Sequence, residues 1–81
     1  MVERVRGILL EAFPGMQFEK LRVLPGGKVT GSVLWDGFAE MDDVERQDRL
    51  RDLLEQRLGA DVQLVGVLLA YTPRELTSMR G

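Results

Sequence analysis

The chain contains neither cysteine nor histidine. Without cysteine there is no disulfide, no thiolate metal site and no sulfur nucleophile. Without histidine, the commonest general base near neutral pH and the commonest metal ligand are both missing. Lysine occurs only as Lys20 and Lys28 among the 11 basic residues, and we read the arginine surplus as a compositional habit rather than a site. No long apolar run is present either. Val62 to Tyr71 is interrupted by Gln63 and falls far short of the roughly 20 residues that a bilayer span needs. The opening MVERVRG has no apolar signal segment, so a cytoplasmic protein is expected. A net charge of −2 argues against a strong generic nucleic-acid binder.

What is present is ordinary globular material: 81 residues, 44% hydrophobic and 30% charged. This length sets one domain over residues 1–81 with a thin stability margin, since so small a chain buries only about 60–65% of its unfolded surface.

The stretch from Asp42 to Gly59 carries both ends of a helix. Asp42 is a candidate N-cap and Glu45, three residues on, completes a capping box. Gly59 sits where a left-handed C-terminal cap belongs. At about 100° per residue, Val44, Leu50, Leu53, Leu54 and Leu58 fall on one broad face. Before it, residues 2–13 space Val2, Val5 and Leu9 for a first helix, which Phe13-Pro14-Gly15 stops. Met16–Leu24 and Val29–Trp35 read as two strands of an antiparallel hairpin around Pro25-Gly26-Gly27-Lys28. Gly31 within the second strand marks a bulge or a close backbone approach. Phe38 to Met41 leads into the central helix as a short helical turn. Val62–Tyr71 reads as a strand apolar, and hence buried, on both faces. Thr72-Pro73-Arg74-Glu75 is a second capping box opening a last short helix. The expected fold is α+β, order α-β-β-α-β-α, with a three-stranded mixed sheet and helices packed on it.

Few of these residues promise chemistry. Gly26-Gly27-Lys28 opens a strand rather than a helix and fails the spacing of a phosphate loop. Asp36-Gly37-Phe38-Ala39-Glu40 puts Phe38 where a calcium loop needs an oxygen ligand. Glu45, Asp48, Asp52 and Glu55 share one helix face, with Arg49 and Arg51 spaced for surface pairing. Ser32, Ser78, Thr30 and Thr72 have no histidine to activate them, so no enzyme active site is expected. Arg46 and Arg57, with Arg49 just beyond, border the apolar arc of the central helix. They are either a patch for an acidic partner or phosphate, or stems laid over apolar side chains. Gln47 falls inside that arc, so either the first turn overhangs the sheet or this end is a contact surface.

Taken together, three motifs resemble the BolA family of small KH-like α+β proteins. Phe38, followed by Glu45-Arg46-Gln47 and Arg49-Leu50, is similar to the family's Phe-x-Gly loop running into Glu-Arg-His-Arg-Leu. Ala70-Tyr71-Thr72-Pro73-Arg74-Glu75 is similar to its Thr-Pro-Glu-Glu lead into the last helix. The first helix and hairpin match in order. The loop glycine is replaced near Glu40, Asp48 stands as an insertion, and the family's cluster-binding histidine falls at about Leu64 or Gln63. Neither residue ligates iron in such a site. The resemblance therefore implies a non-enzymatic adaptor without cofactor, contacting a monothiol glutaredoxin or another protein. It assigns the contact to Phe38–Arg49 and to the last strand with its helix. The candidate contact residues are Phe38, Arg46, Gln47, Arg49, Arg57, Leu64 and Tyr71. Two alternatives stand beside it: a KH-like nucleic-acid module using Arg46, Arg49 and Arg57, and a homodimer paired through the apolar last strand.

Overall fold

Apolar residues at helical intervals build the first element. In the computed structural model, which describes residues 1–80, α1 (Val2–Ala12) buries Val5, Ile8 and Leu9. The Phe13 N–H closes it on the Leu9 carbonyl at 2.8 Å, just before Pro14. The hairpin follows as β1 (Gln17–Val23) and β2 (Val29–Leu34), antiparallel. A 3-10 turn (Asp36–Glu40) leads into α2 (Asp43–Leu58), whose N-cap Asp42 accepts the Glu45 N–H at 2.8 Å. β3 (Val65–Tyr71) joins β2 in parallel, giving the mixed sheet order β1-β2-β3, and α3 (Pro73–Arg80) closes the chain. The α+β architecture and its order are those the sequence implies.

The core lies between α1, α2 and one face of the sheet. Val5, Leu9, Val29, Val33, Phe38, Leu50, Leu54 and Leu68 form its centre. Phe13 and Trp35 pack against Phe38, with ring centroids 4.9 to 6.2 Å apart among the three. The Trp35 indole N–H donates to the Pro14 carbonyl at 3.2 Å, which ties the end of α1 to the end of β2.

Four sequence expectations change. Val44 is 69% exposed, because the buried arc of α2 is centred on Leu50, Leu54 and Leu58 and leaves Val44 outside. Gly59 has a positive φ of 59° but ψ of −129°, which is not the left-handed helical cap. Val62 to Leu64 belong to a 3-10 turn (Gly59–Leu64) rather than to the last strand. Half-buried Val62 packs there against the core, and Asp61 is tied to Arg4 of α1 at 3.2 Å. Lastly, β3 is buried on one face only. Leu68 and Ala70 meet the core, while Val67 and Leu69 are 64% and 45% exposed. α3 crosses the outer face, with Arg80 pairing with Glu19 of β1. Its cover reaches the end where Leu34 sits, itself only 5% exposed.

Gly31 realises both readings offered by the sequence. Lys20 and Leu21 stand opposite it on one side, because the β1–β2 register slips between Glu19 and Arg22. The β2–β3 register slips beside it as well, between Val29 and Gly31. Lys20 takes a left-handed φ of 55°, which costs a non-glycine residue about 1–2 kcal/mol. A Cβ on Gly31 would lie 2.7 Å from the Leu21 Cα. Gly31→Ala is therefore expected to lower the unfolding free energy by about 2–4 kcal/mol. Gly7→Ala, with nothing within 4 Å of the added atom, is expected to raise it by up to about 1 kcal/mol. Urea melts of both variants against the parent chain check this pair, and a Gly31→Ala melt that overlays the parent would refute the steric argument.

Candidate functional site

Capping by Asp42 sets the phase of α2, and four residues on it directs Arg46 toward the sheet. Arg46 is 6% exposed. Its Nε–H donates to the carbonyls of Phe38 and Met41, each at 3.1 Å. Its Nη1 donates to the Ala70 carbonyl at 3.1 Å and to Glu75 Oε1 at 2.7 Å, and Nη2 donates to Glu75 Oε2 at 2.9 Å. Glu75 Oε1 also accepts the Thr72 N–H at 2.9 Å, while Thr72 Oγ1 accepts the Glu75 N–H at 3.1 Å. The second capping box is thus complete, and its carboxylate serves two elements. The Arg46 hydrogen bonds, then the Thr72 N–H, hold the Glu75 carboxyl down to about 2 from 4.5. The bond to Glu75 in turn raises the Arg46 guanidinium above its ordinary value, against the opposing effect of burial.

The same helix end covers the free edge of β3. The Trp35 N–H donates to the Tyr71 carbonyl at 3.0 Å, so Tyr71 faces β2. By strand alternation, Leu68 and Ala70 direct their backbone groups away from the sheet. Arg46 takes the Ala70 carbonyl, and Gln47 Nε2 donates to the Leu68 carbonyl at 2.8 Å. Two shallow grooves flank that contact. One of about 210 Å3 lies between α2 and β3 over Leu50, Leu54, Val62 and Val65. The other, of about 240 Å3, lies among Asp43, Leu69, Ala70 and Tyr71. A wider apolar hollow of about 470 Å3 opens between Tyr71, Arg74, Ser78 and Met79.

The residues singled out from the sequence do not form one site. Phe38 is fully buried under the Arg46 guanidinium, 5.8 Å from ring centroid to carbon, so it serves the core rather than a contact surface. Arg46 is likewise turned inward and committed to Glu75. Arg49 is exposed and 3.8 Å from Glu45. Arg57 pairs with Glu11 of α1 at 3.0 Å, which raises the guanidinium and lowers the carboxyl relative to their ordinary values. The three arginines therefore make no common basic patch. Leu64 is 37% exposed in the 3-10 turn, at the opposite end of β3 from Tyr71. Only Arg46, Gln47 and Tyr71 converge, around the groove beside Ala70.

Gln47 settles between its two readings: the first turn of α2 overhangs the sheet edge, and its amide reaches the strand. The exposed Val67 and Leu69 escaped sequence reasoning, because an uninterrupted apolar strand signals burial on both faces. Glu75 was legible as a cap but not as the partner of Arg46, which lies 29 positions earlier.

Among the described residues no three histidine, cysteine or acidic side chains converge to hold a metal ion. No helix among them is long and apolar enough to cross a membrane. No model of a known protein family matches the chain, and no curated protein matches it.

Removing Arg46 would strand the Phe38, Met41 and Ala70 carbonyls and leave Glu75 without its partner. Arg46→Ala is expected to cost about 3–5 kcal/mol, and Arg46→Lys to restore little of it, since an ammonium cannot span the forked geometry. The milder Glu75→Gln isolates the pH dependence. A carboxyl depressed in the folded state stabilises fully above its unfolded value of 4.5. That contribution disappears as pH falls from there toward about 2. Thermal melts between those limits should drop more steeply for the parent than for Glu75→Gln; parallel curves would count against this coupling.

Proposed function

We propose that the chain is a non-catalytic adaptor acting by protein–protein contact, of the kind implied by its resemblance to the BolA family. The observation that carries this reading is the outer face of β3, where Val67 and Leu69 stand exposed in the middle of a strand. Leu69 pairs across to Ser32 of β2, and α3 leaves it 45% exposed. A solvent-facing pair of branched apolar residues on a sheet is a natural contact surface when polar groups surround it. Thr30, Ser32 and the exposed Arg22 supply that surround. Arg22 is paired across to Thr30, and the Thr30 hydroxyl donates to the Val67 carbonyl at 2.7 Å.

A monothiol glutaredoxin is the first partner to test, and with no histidine in the chain the contact does not depend on shared cluster ligation. Titrating isotopically labelled protein with the glutaredoxin, with and without its cluster, should shift amides from Val67 to Tyr71 equally in both cases. The double variant Val67→Asp/Leu69→Asp, at exposed positions where stability changes stay within about 0.5–1 kcal/mol, should lose those shifts. Absence of shifts in the parent at millimolar partner would refute the glutaredoxin contact, and shifts that survive in the double variant would refute the assignment to this face.

A further inference from the structure

β3 is an edge strand, and a free edge normally offers a row of unpaired amides and carbonyls to any extended chain. Here the edge is closed unevenly. The Ala70 carbonyl is held by a guanidinium that Glu75 fixes through two bonds. The Leu68 carbonyl is held only by the carboxamide of Gln47, an exposed residue whose side chain makes no other hydrogen bond among the described residues. The N–H groups of Leu68 and Ala70 face the same way, and nothing among the described residues accepts from either. The Gln47 amide thus occupies the place that a backbone N–H of an added strand would take.

The grooves on either side point to the same conclusion. Gln47 is the one residue lining both, so that swinging it aside joins them into a single channel along the edge of β3. Half of that channel is floored by Leu50, Leu54, Val62 and Val65 beneath the overhang of α2, with Arg51 and Glu55 also lining it. A strand laid along it would turn alternate side chains into this apolar floor and the others toward Val67 and Leu69.

We infer that the edge of β3 accepts a short extended segment of a partner protein, with apolar residues at alternate positions, and that Gln47 is the latch displaced when it binds. This rests on the protein-contact reading above and names the backbone chemistry of the contact. The occupant is a foreign strand rather than a second copy. In an antiparallel pair of β3 strands each copy would bring its own α2 and its fixed Arg46 against the other's edge. A nucleic acid is a poorer fit, because the net charge is −2 and Arg46, Arg49 and Arg57 make no common basic patch to meet phosphates.

The test uses an acetylated, amidated octapeptide of alternating leucine and threonine. Its control has two interior residues replaced by proline, which cannot donate to the edge. Labelled full-length protein should show saturable amide shifts and slowed hydrogen exchange at Leu68 and Ala70 with the first peptide and not with the control. Gln47→Ala, which removes the competing amide, should bind the peptide about fivefold more tightly. Equal shifts with the proline control, no shift at millimolar peptide, or unchanged affinity in Gln47→Ala would each overturn the inference. So would shifts at these amides that follow protein concentration without peptide, or that appear with single-stranded RNA. If the peptide fails while the outer-face contact with the glutaredoxin survives, only the edge-pairing inference falls.

Discussion

One guanidinium holds the molecule's separate pieces in place. Arg46 donates to the 3-10 turn through Phe38, to the lead into α2 through Met41, to β3 through Ala70 and to α3 through Glu75. Burying such a charge is costly, and the cost is met only because every direction of the fork finds an oxygen. Hydrophobic packing alone would tolerate α2 sliding along the sheet by a fraction of a turn. Five hydrogen bonds of fixed geometry do not. The position of α2 over the edge of β3, and with it the placement of Gln47, follows from this anchoring.

The other constraint is the kink in the sheet. Bulges on both neighbours of β2 coincide near Gly31, so curvature is concentrated at one level and the sheet is divided into two ends. At one end α3 folds back to Glu19 and covers Leu34. At the other end Val67 remains open, and so does Leu69 on the rung of Ser32 and Glu19. A last helix of 8 residues is about 12 Å long, too short to shield both. The exposed surface of β3 is therefore a product of where the bulges fall and where the helix ends.

Local signals carried most of the architecture. Asp42, the Thr72–Glu75 box, Pro14 and the glycine-rich hairpin turn each act through near neighbours, and each marks a boundary within a residue or two of its place. What could not be read depended on distant partners. Arg46 lies at the border of an apolar arc on a wheel, and nothing within one helical turn shows that a carboxylate 29 residues later will draw it inward. Val67 and Leu69 read as buried because the strand is apolar throughout, and only the reach of α3 shows otherwise. Phe38 stood out through a motif, whereas its position under Arg46 gives it a packing role. Gln47 was the exception, a polar residue inside an apolar arc whose placement already pointed to the sheet edge.

Parallel pairing has a kinetic consequence. β1 and β2 meet across a tight turn and can form early, but Thr30 reaches Val67 only across 37 positions of chain. The entropy of closing that loop must be spent before the β2–β3 ladder returns anything. Until β3 docks, Arg46 has only its nearby carbonyls, with Ala70 and Glu75 still elsewhere. Docking of the last strand therefore brings together, in one late step, the edge of the sheet, the start of the final helix and the buried Arg46 guanidinium.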